Sequence, residues 1–420
     1  MRTFVSNKLG TTRLSVRRNR EARPQVKVLV TDGNERAALA VTRALGREAI
    51  EVIVGAEARP SLAGASRYCS ESFAYPSPYQ DPQGFVDTLL DVVQKQRVDA
   101  LFPVSDIAMH VLGPEKTRFS EFTRIPAPNA ETFGDISDKY RLMQRAVTQG
   151  VAIPETIFVP DGKLESVLEE VSEFPVVVKP GCSLVRDGRQ WKKTSVCYAE
   201  SRDALVRLYK ETPYLRSPSL IQRRVIGEGQ GLFVLMNEGL PLGMFAHRRL
   251  RERPPSGGVS VLRESIALPK TMVDATLKLL QPVKWHGVAM VEFKVDAVSH
   301  RPLLMEINGR FWGSLQLAID AGVNFPLRLL NMSMGKPEVL PENGYRTGVK
   351  SRWLLGDLDQ LLMRFRKRDR QLNLPPGAPS RPQALLSFCR FFERDMFYEI
   401  EQFADLGPSR FEIMRYLKLA

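Results

Sequence analysis

Apolar residues follow two rhythms along this 420-residue chain. Short unbroken or alternating apolar runs mark strands, and apolar residues three and four apart mark helices. VKVLVTDG (26–33) reads as a strand ending in a turn. NERAALAVTRALGRE (34–48) has helical spacing, with Ala37, Ala40, Val41 and Ala44 on one face. IEVIVG (50–55) is a second apolar strand. A β-α-β opening predicts a parallel sheet. A helix over 84–96 and a strand over 99–106 continue the pattern. A Rossmann-like domain is therefore expected over residues 25–130. Its first turn is TDGN and not GxGxxG, so no nicotinamide dinucleotide is expected.

Downstream, SDKYRLMQRAVTQGVAIPETIFV (137–159) predicts a helix, a turn and a strand, with Ser137 as N-cap and the helix ending near Gly150. FPVVVKPG (174–181) is a dense strand, and strands are also expected over 195–200 and 220–229. GLFVLMNEGLPLGMFAHRRLR (231–251) reads as a hairpin about NEG, PPSGGVS (254–260) as a loop, and 271–285 as a helix. From 336 to 420 the composition shifts to Arg, Phe and Leu, with a proline-rich break at 373–382. A separate, mostly helical C-terminal region is expected there.

GVAMVEFKVDAVSHRPLLMEINGR (287–310) predicts an acidic hairpin. Alternation places Val288, Met290, Glu292, Lys294 and Asp296 on one face of the first strand. Leu304, Glu306, Asn308 and Arg310 share a face of the second. A five-residue turn over 297–301 pairs 296 with 302 and sets Glu292 directly across from Glu306. Facing carboxylates repel, by about 1 kcal/mol at ~4 Å in water and about 4 kcal/mol at an effective dielectric near 20. Either the acids sit on a wet hairpin and pair with Lys294 and Arg310, or they share a cation. Two carboxylates and an amide oxygen are the hard donors that Mg²⁺ takes when phosphates complete its shell.

Charge changes the picture only at the ends. Of a net +13, residues 1–24 hold seven Lys/Arg against one Glu, and RFRKRDR (364–370) adds +4. The excess lies outside the predicted core, no nucleic-acid-binding motif accompanies it, and no nucleic-acid partner is expected. Residues 1–24 read as a basic disordered tail, and their Arg/Ser/Thr-rich, acid-poor composition also fits a transit peptide. No apolar run reaches the length of a membrane span. Four scattered cysteines without a CxxC fit a reducing, cytoplasmic setting. The four histidines lie in plain contexts and are expected to be structural.

Two lysines bear on the hairpin. Lys179 ends an apolar strand, where a lysine can hold phosphate. Lys139 falls in the first turn of a helix, where it opposes the dipole unless an anion is near. In chain order, SDKYRL, FPVVVKP, LIQRRVIGEG, AHRRLRERPPSGGVSV, GVAMVEFKVD and LLMEINGRFWGS resemble the ATP-grasp superfamily. Within it they are similar to carboxylate–amine ligases related to carbamoyl-phosphate synthetase large-subunit halves. The resemblance covers residues 26–335.

The resemblance implies an α/β fold, α+β in a nucleotide domain over 131–335, and ATP with Mg²⁺, two ions, as cofactors. Lys139 and Lys179 would contact ATP phosphates, and Gln222, Arg223 and Val225 would form the adenine hinge. Glu228 would lie near the ribose. Glu292, Glu306 and Asn308 would be the magnesium ligands, with Glu306 bridging. Arg310, with Lys179, would act on the transferred phosphoryl group. Loops 181–194 and 254–260 are candidate covers over the nucleotide. Ser105, Asp106, Arg248, Arg249 and Arg263 are candidate substrate contacts. Arg223 stands where the family commonly has a glutamate, and Gly309 where proline is frequent. The implied activity is ATP-dependent joining of a carboxylate to an amine through an acyl phosphate, with small-molecule partners, no membrane, and a homodimer as one expected arrangement. The alternatives are a catalytically silent ATP-binding regulatory or assembly protein, and an anionic-surface binder acting through the terminal Arg clusters.

Overall fold

A computed structural model describes residues 26–341, 344–372, 374 and 377–418. The basic tail expected over 1–24 lies outside them, as do residues 373, 375 and 376 of the proline-rich break. Among the described residues no helix is long and apolar enough to cross a membrane.

Strands β1 (Lys27–Val30), β2 (Glu51–Ala56), β3 (Glu71–Ala74) and β4 (Ala100–Phe102) form a parallel sheet in the order β3-β2-β1-β4. Its inner strands read as unbroken apolar runs because both faces are covered. Leu29 and Ile53 pack with Phe85 and Leu89 of the helix Pro82–Gln96. Val28, Val30, Val52 and Val54 pack instead with Ala37 and Val41 of the helix Arg36–Arg47. The carboxyl ends of β1 and β4, carrying Asp32, Ser105 and Asp106 just beyond them, open onto a cleft.

A second, antiparallel sheet runs β5 (Thr156–Val159), β10 (Ser219–Arg223), β6 (Val176–Pro180), β9 (Cys197–Ala199). The segment expected as a loop over 181–194 is a hairpin, β7 (Leu184–Asp187) with β8 (Gln190–Lys193). The Trp191 backbone N–H, donating to Tyr79 O at 2.8 Å, docks it beside the first sheet. The helix Lys139–Thr148 is capped by Asp138, whose side chain accepts from the Tyr140 and Arg141 N–H groups. Ser137 is not the cap: it ends the preceding helix, Ala130–Ser137, and its hydroxyl donates to Phe133 O. Two cap-competent residues stand side by side, and the one at the junction serves both helices.

The third sheet has seven strands, β15-β14-β11-β12-β13-β16-β17. β11 (Gly227–Asn237) and β12 (Leu240–Arg253) form the expected hairpin, turning at Glu238 and Gly239 with φ of 48° and 87°. Positive φ at both central residues matches the right-handed twist of the strands. β14 (Gly287–Asp296) and β15 (Pro302–Asn308) form the acidic hairpin. Near its turn the register is one residue off expectation: Val295 pairs with Pro302 and Phe293 with Leu304. A bulge at Met305 restores it, and Glu292 pairs with Glu306. The extra residue changes which side chains face inward. Leu304 turns into the core beside Phe293 and Ile307, not onto the face of Glu306, while Met305 and Glu306 both border the cleft.

The C-terminal region is not a separate helical appendage. β16 (Lys350–Arg352) pairs with β13 (Val259–Ile266), and β17 (Met396–Tyr398) pairs with β16, extending the third sheet. Helices Leu354–Arg366, Arg381–Phe388 and Gly407–Tyr416 flank these strands. The segment returns to the first sheet through Arg43, which is fully buried. Its Nε lies 2.8 Å from Asp405 Oδ2, and its other nitrogens donate to Glu399 O and Ile400 O at 2.8 and 3.0 Å. Removing one partner of such a pair leaves a buried charge uncompensated. Arg43→Met should therefore lower stability by about 3–5 kcal/mol, read as a lower urea midpoint. A midpoint equal to wild type would show that this contact does not tie the C-terminal segment down.

Candidate active site

The cleft between the first and third sheets encloses about 940 Å³. Its third-sheet wall is organised by one cross-strand row. Glu306 on β15 pairs with Glu292 on β14, Glu292 with Gly231 on β11, and Gly231 with His247 on β12. Residues paired in register share a face, so this row points into one space. The glycines of GEGQG clear β11 for side chains arriving from β12. A Cβ on Gly229 would sit 2.9 Å from Arg249 Cδ, and one on Gly231 would sit 3.0 Å from His247 Nε2. With those positions bare, Arg249 crosses β11 and bonds the Glu292 carboxylate. It also holds Glu252 Oε1 at 3.0 Å and Gly258 O at 3.2 Å, tying down the 254–258 loop.

The two glutamates are joined through Asn308, whose Nδ2 lies 3.2 Å from Glu292 Oε1 and 3.2 Å from Glu306 Oε1. Lys139 Nζ lies 3.0 Å from Glu306 Oε2 and donates to Ser183 Oγ at 2.7 Å. Arg310 bonds Asp106 Oδ2 at 2.9 Å and Asn308 Oδ1 at 3.1 Å. Lys179, from the end of β6, reaches Met305 Sδ at 4.0 Å. Lys139, Lys179, Arg249 and Arg310 thus stand about Glu292, Glu306 and Asp106, and Asp32, Glu35, Glu57, Arg36 and Lys193 also border the cleft. Lys139 holds the Glu306 carboxyl down at about 2. Burial pushes Glu292 up, against the pull of Arg249. Burial also pushes the Lys179 ammonium down to about 8, although Glu306 opposes it.

This donor set fits a hard divalent cation. Among the described residues no three His, Cys, Asp or Glu side chains converge, so the protein offers two carboxylates and an amide. Phosphate and water would complete the shell, the arrangement Mg²⁺ favours. Asn308 turns its nitrogen to the carboxylates and its oxygen to Arg310, so ligation through oxygen requires the amide to turn over.

A side pocket of about 160 Å³ adjoins the cleft, lined by Val177, Lys179, Phe293 and Met305 and by residues 222–225. The Gln222 side chain is buried and spent, its Nε2 donating to Thr156 Oγ1 at 2.9 Å. Arg223 leans to Asp296 at 3.5 Å. A ligand at Gln222, Arg223 and Val225 would therefore meet backbone groups first. Ser105 caps the helix Asp106–Leu112, its Oγ accepting from Ala108 N–H at 3.2 Å, and it borders the cleft beside Asp106.

Three expected contacts lie elsewhere. Glu228 and Arg248 project from the opposite face of β11 and β12, because alternation sends them away from Gly229 and Arg249. There Glu228 accepts from Gln230, and Arg248 pairs with Glu264 at 2.6 Å. Arg263 is fully buried; it bonds Ser260 O at 2.8 Å and pairs with Glu399, so it fastens the C-terminal segment and does not reach a ligand. One residue was missed. His247 lines the cleft, is fully buried, and neither ring nitrogen has a partner among the described residues. Burial, with Arg249 and Arg263 beside it, drives its pKa well below the usual range, so it is neutral. The bare glycines at 229 and 231 were the available signal that something crosses β11.

A parallel-sheet unit followed by an antiparallel sheet and a mostly antiparallel one that border a nucleotide-sized cleft is the ATP-grasp fold, and the chain has it. More narrowly, residues 244–354 match the family described as ATP-grasp in the biosynthetic pathway with Ter operon. That stretch carries Arg249, Glu292, Glu306, Asn308 and Arg310. Among solved structures, the biotin carboxylase domain of Hydrogenobacter thermophilus 2-oxoglutarate carboxylase, crystallised with MgADP, ADP and bicarbonate, is similar at a TM-score of 0.60. Identity is 15%, over 77% of this chain and 73% of that one. The L-amino acid ligase of Bacillus licheniformis gives 0.57 at 13% identity, over 75% of each chain. N5-carboxyaminoimidazole ribonucleotide synthetase of Thermotoga maritima gives 0.53 at 18%, over 78% and 79%. No curated protein sequence matches the chain. The likeness to carbamoyl-phosphate synthetase halves rests on the motifs alone.

The burial of Lys179 has a measurable consequence. Only the neutral amine is nucleophilic, and the neutral fraction rises as pH passes the pKa. In the metal-free protein, labelling of Lys179 by an amine-selective reagent, read by peptide mass spectrometry, should reach half its maximal rate near pH 8. A midpoint at the ordinary lysine value of about 10.4 would show that Lys179 is solvated.

Proposed function

We propose that this protein is an ATP-dependent ligase that joins a carboxylate to an amine through an acyl phosphate, releasing ADP and phosphate. One observation carries the reading. Two carboxylates face each other across adjacent strands, bridged by an amide and ringed by Lys139, Lys179, Arg249 and Arg310. Such a site repels a bare anion from the acids and attracts a polyphosphate carrying a divalent ion.

A carboxylate resists an amine because its carbon is a poor electrophile. Phosphorylating one oxygen supplies a leaving group, and the amine can then displace phosphate. This chain's part is positional and electrostatic. Lys139 and Lys179 would hold phosphate oxygens, and Arg310, steadied by Asp106, would face the transferred group. Backbone groups over 222–225 would receive the adenine. Glu292, Glu306 and Asn308 would hold Mg²⁺, which when bound supplies charge neutralisation between the phosphates. The 254–258 loop, tied through Gly258 O to Arg249, stands where it can exclude water.

A second reading, a nucleotide-binding protein without turnover, draws on the engagement of Glu292 by Arg249. That guanidinium must be displaced or shared before the carboxylate can meet a metal. The two readings separate in one assay. ADP release is measured across a library of carboxylates and amines, with Glu306→Gln as control. The ligase reading expects release that needs both substrates and falls at least about a hundredfold in the variant. MgADP binding without release under any pair supports the silent reading. Equal release by wild type and variant overturns the ligase.

A further inference from the structure

A second pocket, of about 370 Å³, lies beyond the wall formed by Arg249 and Glu252. It is enclosed by β12, β13 and the helices Leu354–Arg366 and Arg381–Phe388. That volume is in the range of small-molecule sites. Five cations, Arg249, Arg251, Lys350, Arg364 and Arg390, line it against two carboxylates, Glu252 and Glu393.

The existing partners do not use up that charge. Arg251 is spent on Asp357, with bonds of 2.7 and 2.5 Å, and Lys350 on Glu393. Arg364 is different. It is 3% exposed, one terminal nitrogen bonds Pro379 O, and its Nε has no acceptor among the described residues. Arg249, by contrast, is already held by Glu252, Glu292 and Gly258 O. A buried donor left without a partner costs stability, and the Arg364 Nε, on a residue that lines this cavity, points to a missing acceptor. Arg390 stands at the mouth, its side chain 71% exposed and 3.9 Å from Glu393. Leu250, Leu262 and Met396 supply an apolar wall.

We propose that this pocket is a second ligand site, taking a small organic anion whose carboxylate or phosphate meets Arg364 and Arg390 while its apolar body lies against Leu250, Leu262 and Met396. The site stands apart from the reaction cleft and does not rest on the ligase reading. Arg249 borders both spaces, so the anion would draw on the guanidinium that holds Glu292.

The test is calorimetric titration of the full chain with benzoate, phenyl phosphate and, as cationic control, benzylamine. At least one anion should bind while benzylamine does not, and the preferred one identifies the head group. Arg364→Gln and Arg390→Gln should each weaken that binding at least tenfold, and Lys179→Ala, in the cleft, should leave it unchanged. Arg390 is exposed enough that its replacement leaves the packing intact, so it decides the matter if Arg364→Gln does not fold. The proposal is overturned if neither anion binds better than benzylamine, if Arg390→Gln binds as wild type does, or if Lys179→Ala removes the binding. A parallel MgADP titration reports on the cleft alone, so failure there leaves the anion result standing.

Discussion

The repulsion between Glu292 and Glu306 sets the terms for the rest of the molecule. Paired in register on adjacent strands, they cannot both remain ionised near each other without compensation. The chain supplies that compensation from three directions. Lys139 comes from the helix Lys139–Thr148, Arg249 from two strands away, and Asn308 from the same hairpin. Each comes at a structural cost borne elsewhere. Lys139 must sit in the first turn of its helix, where the dipole opposes it. Arg249 must cross a strand stripped of side chains. Asn308 must give its amide nitrogen to the acids. Together they set cations directly against both glutamates, Lys139 on Glu306 and Arg249 on Glu292, with Asn308 between the two.

Much of this arrangement is legible in the sequence. The parallel sheet could be read from its apolar runs because its strands are covered on both faces. The facing of Glu292 and Glu306 could be read from alternation and a five-residue turn, and it holds because the one-residue offset at the turn and the bulge at Met305 cancel. The bulge itself could not be read. Leu303, Leu304 and Met305 are all apolar, so inserting one residue leaves the polarity pattern unchanged. Ser137 and Asp138 are both good caps, and only the junction of two helices decides between them.

The arginines were harder. Arg248, Arg249 and Arg263 look alike in sequence, yet one pairs on the outer face, one reaches Glu292, and one is sealed under the sheet by Glu399. Local alternation separates the first two once β11 is known to be their neighbour. Nothing local reveals the third, because its partner comes from a distant part of the chain. For the same reason β16 and β17, three residues each, were too short to announce themselves as strands.

That distant segment changes what the third sheet can do. Had residues 336–420 folded apart, the edge of β13 would be open to other chains. Instead β16 covers it, Arg263 is buried by the covering, and Arg251 is drawn to Asp357 on the far side. The strand that carries Arg249 into the cleft therefore carries Arg251 away from it, two residues on, with a bulge between them. Arg249 is held between two ion-paired regions. The C-terminal segment meets the cleft a second time at Arg36, which lines it, pairs with Glu399 and lies over the Trp353 ring. The geometry thus gives the appended region two guanidiniums that border the cleft, Arg249 beside the paired glutamates and Arg36 on the side of the first sheet, and only Arg249 bonds Glu292 directly.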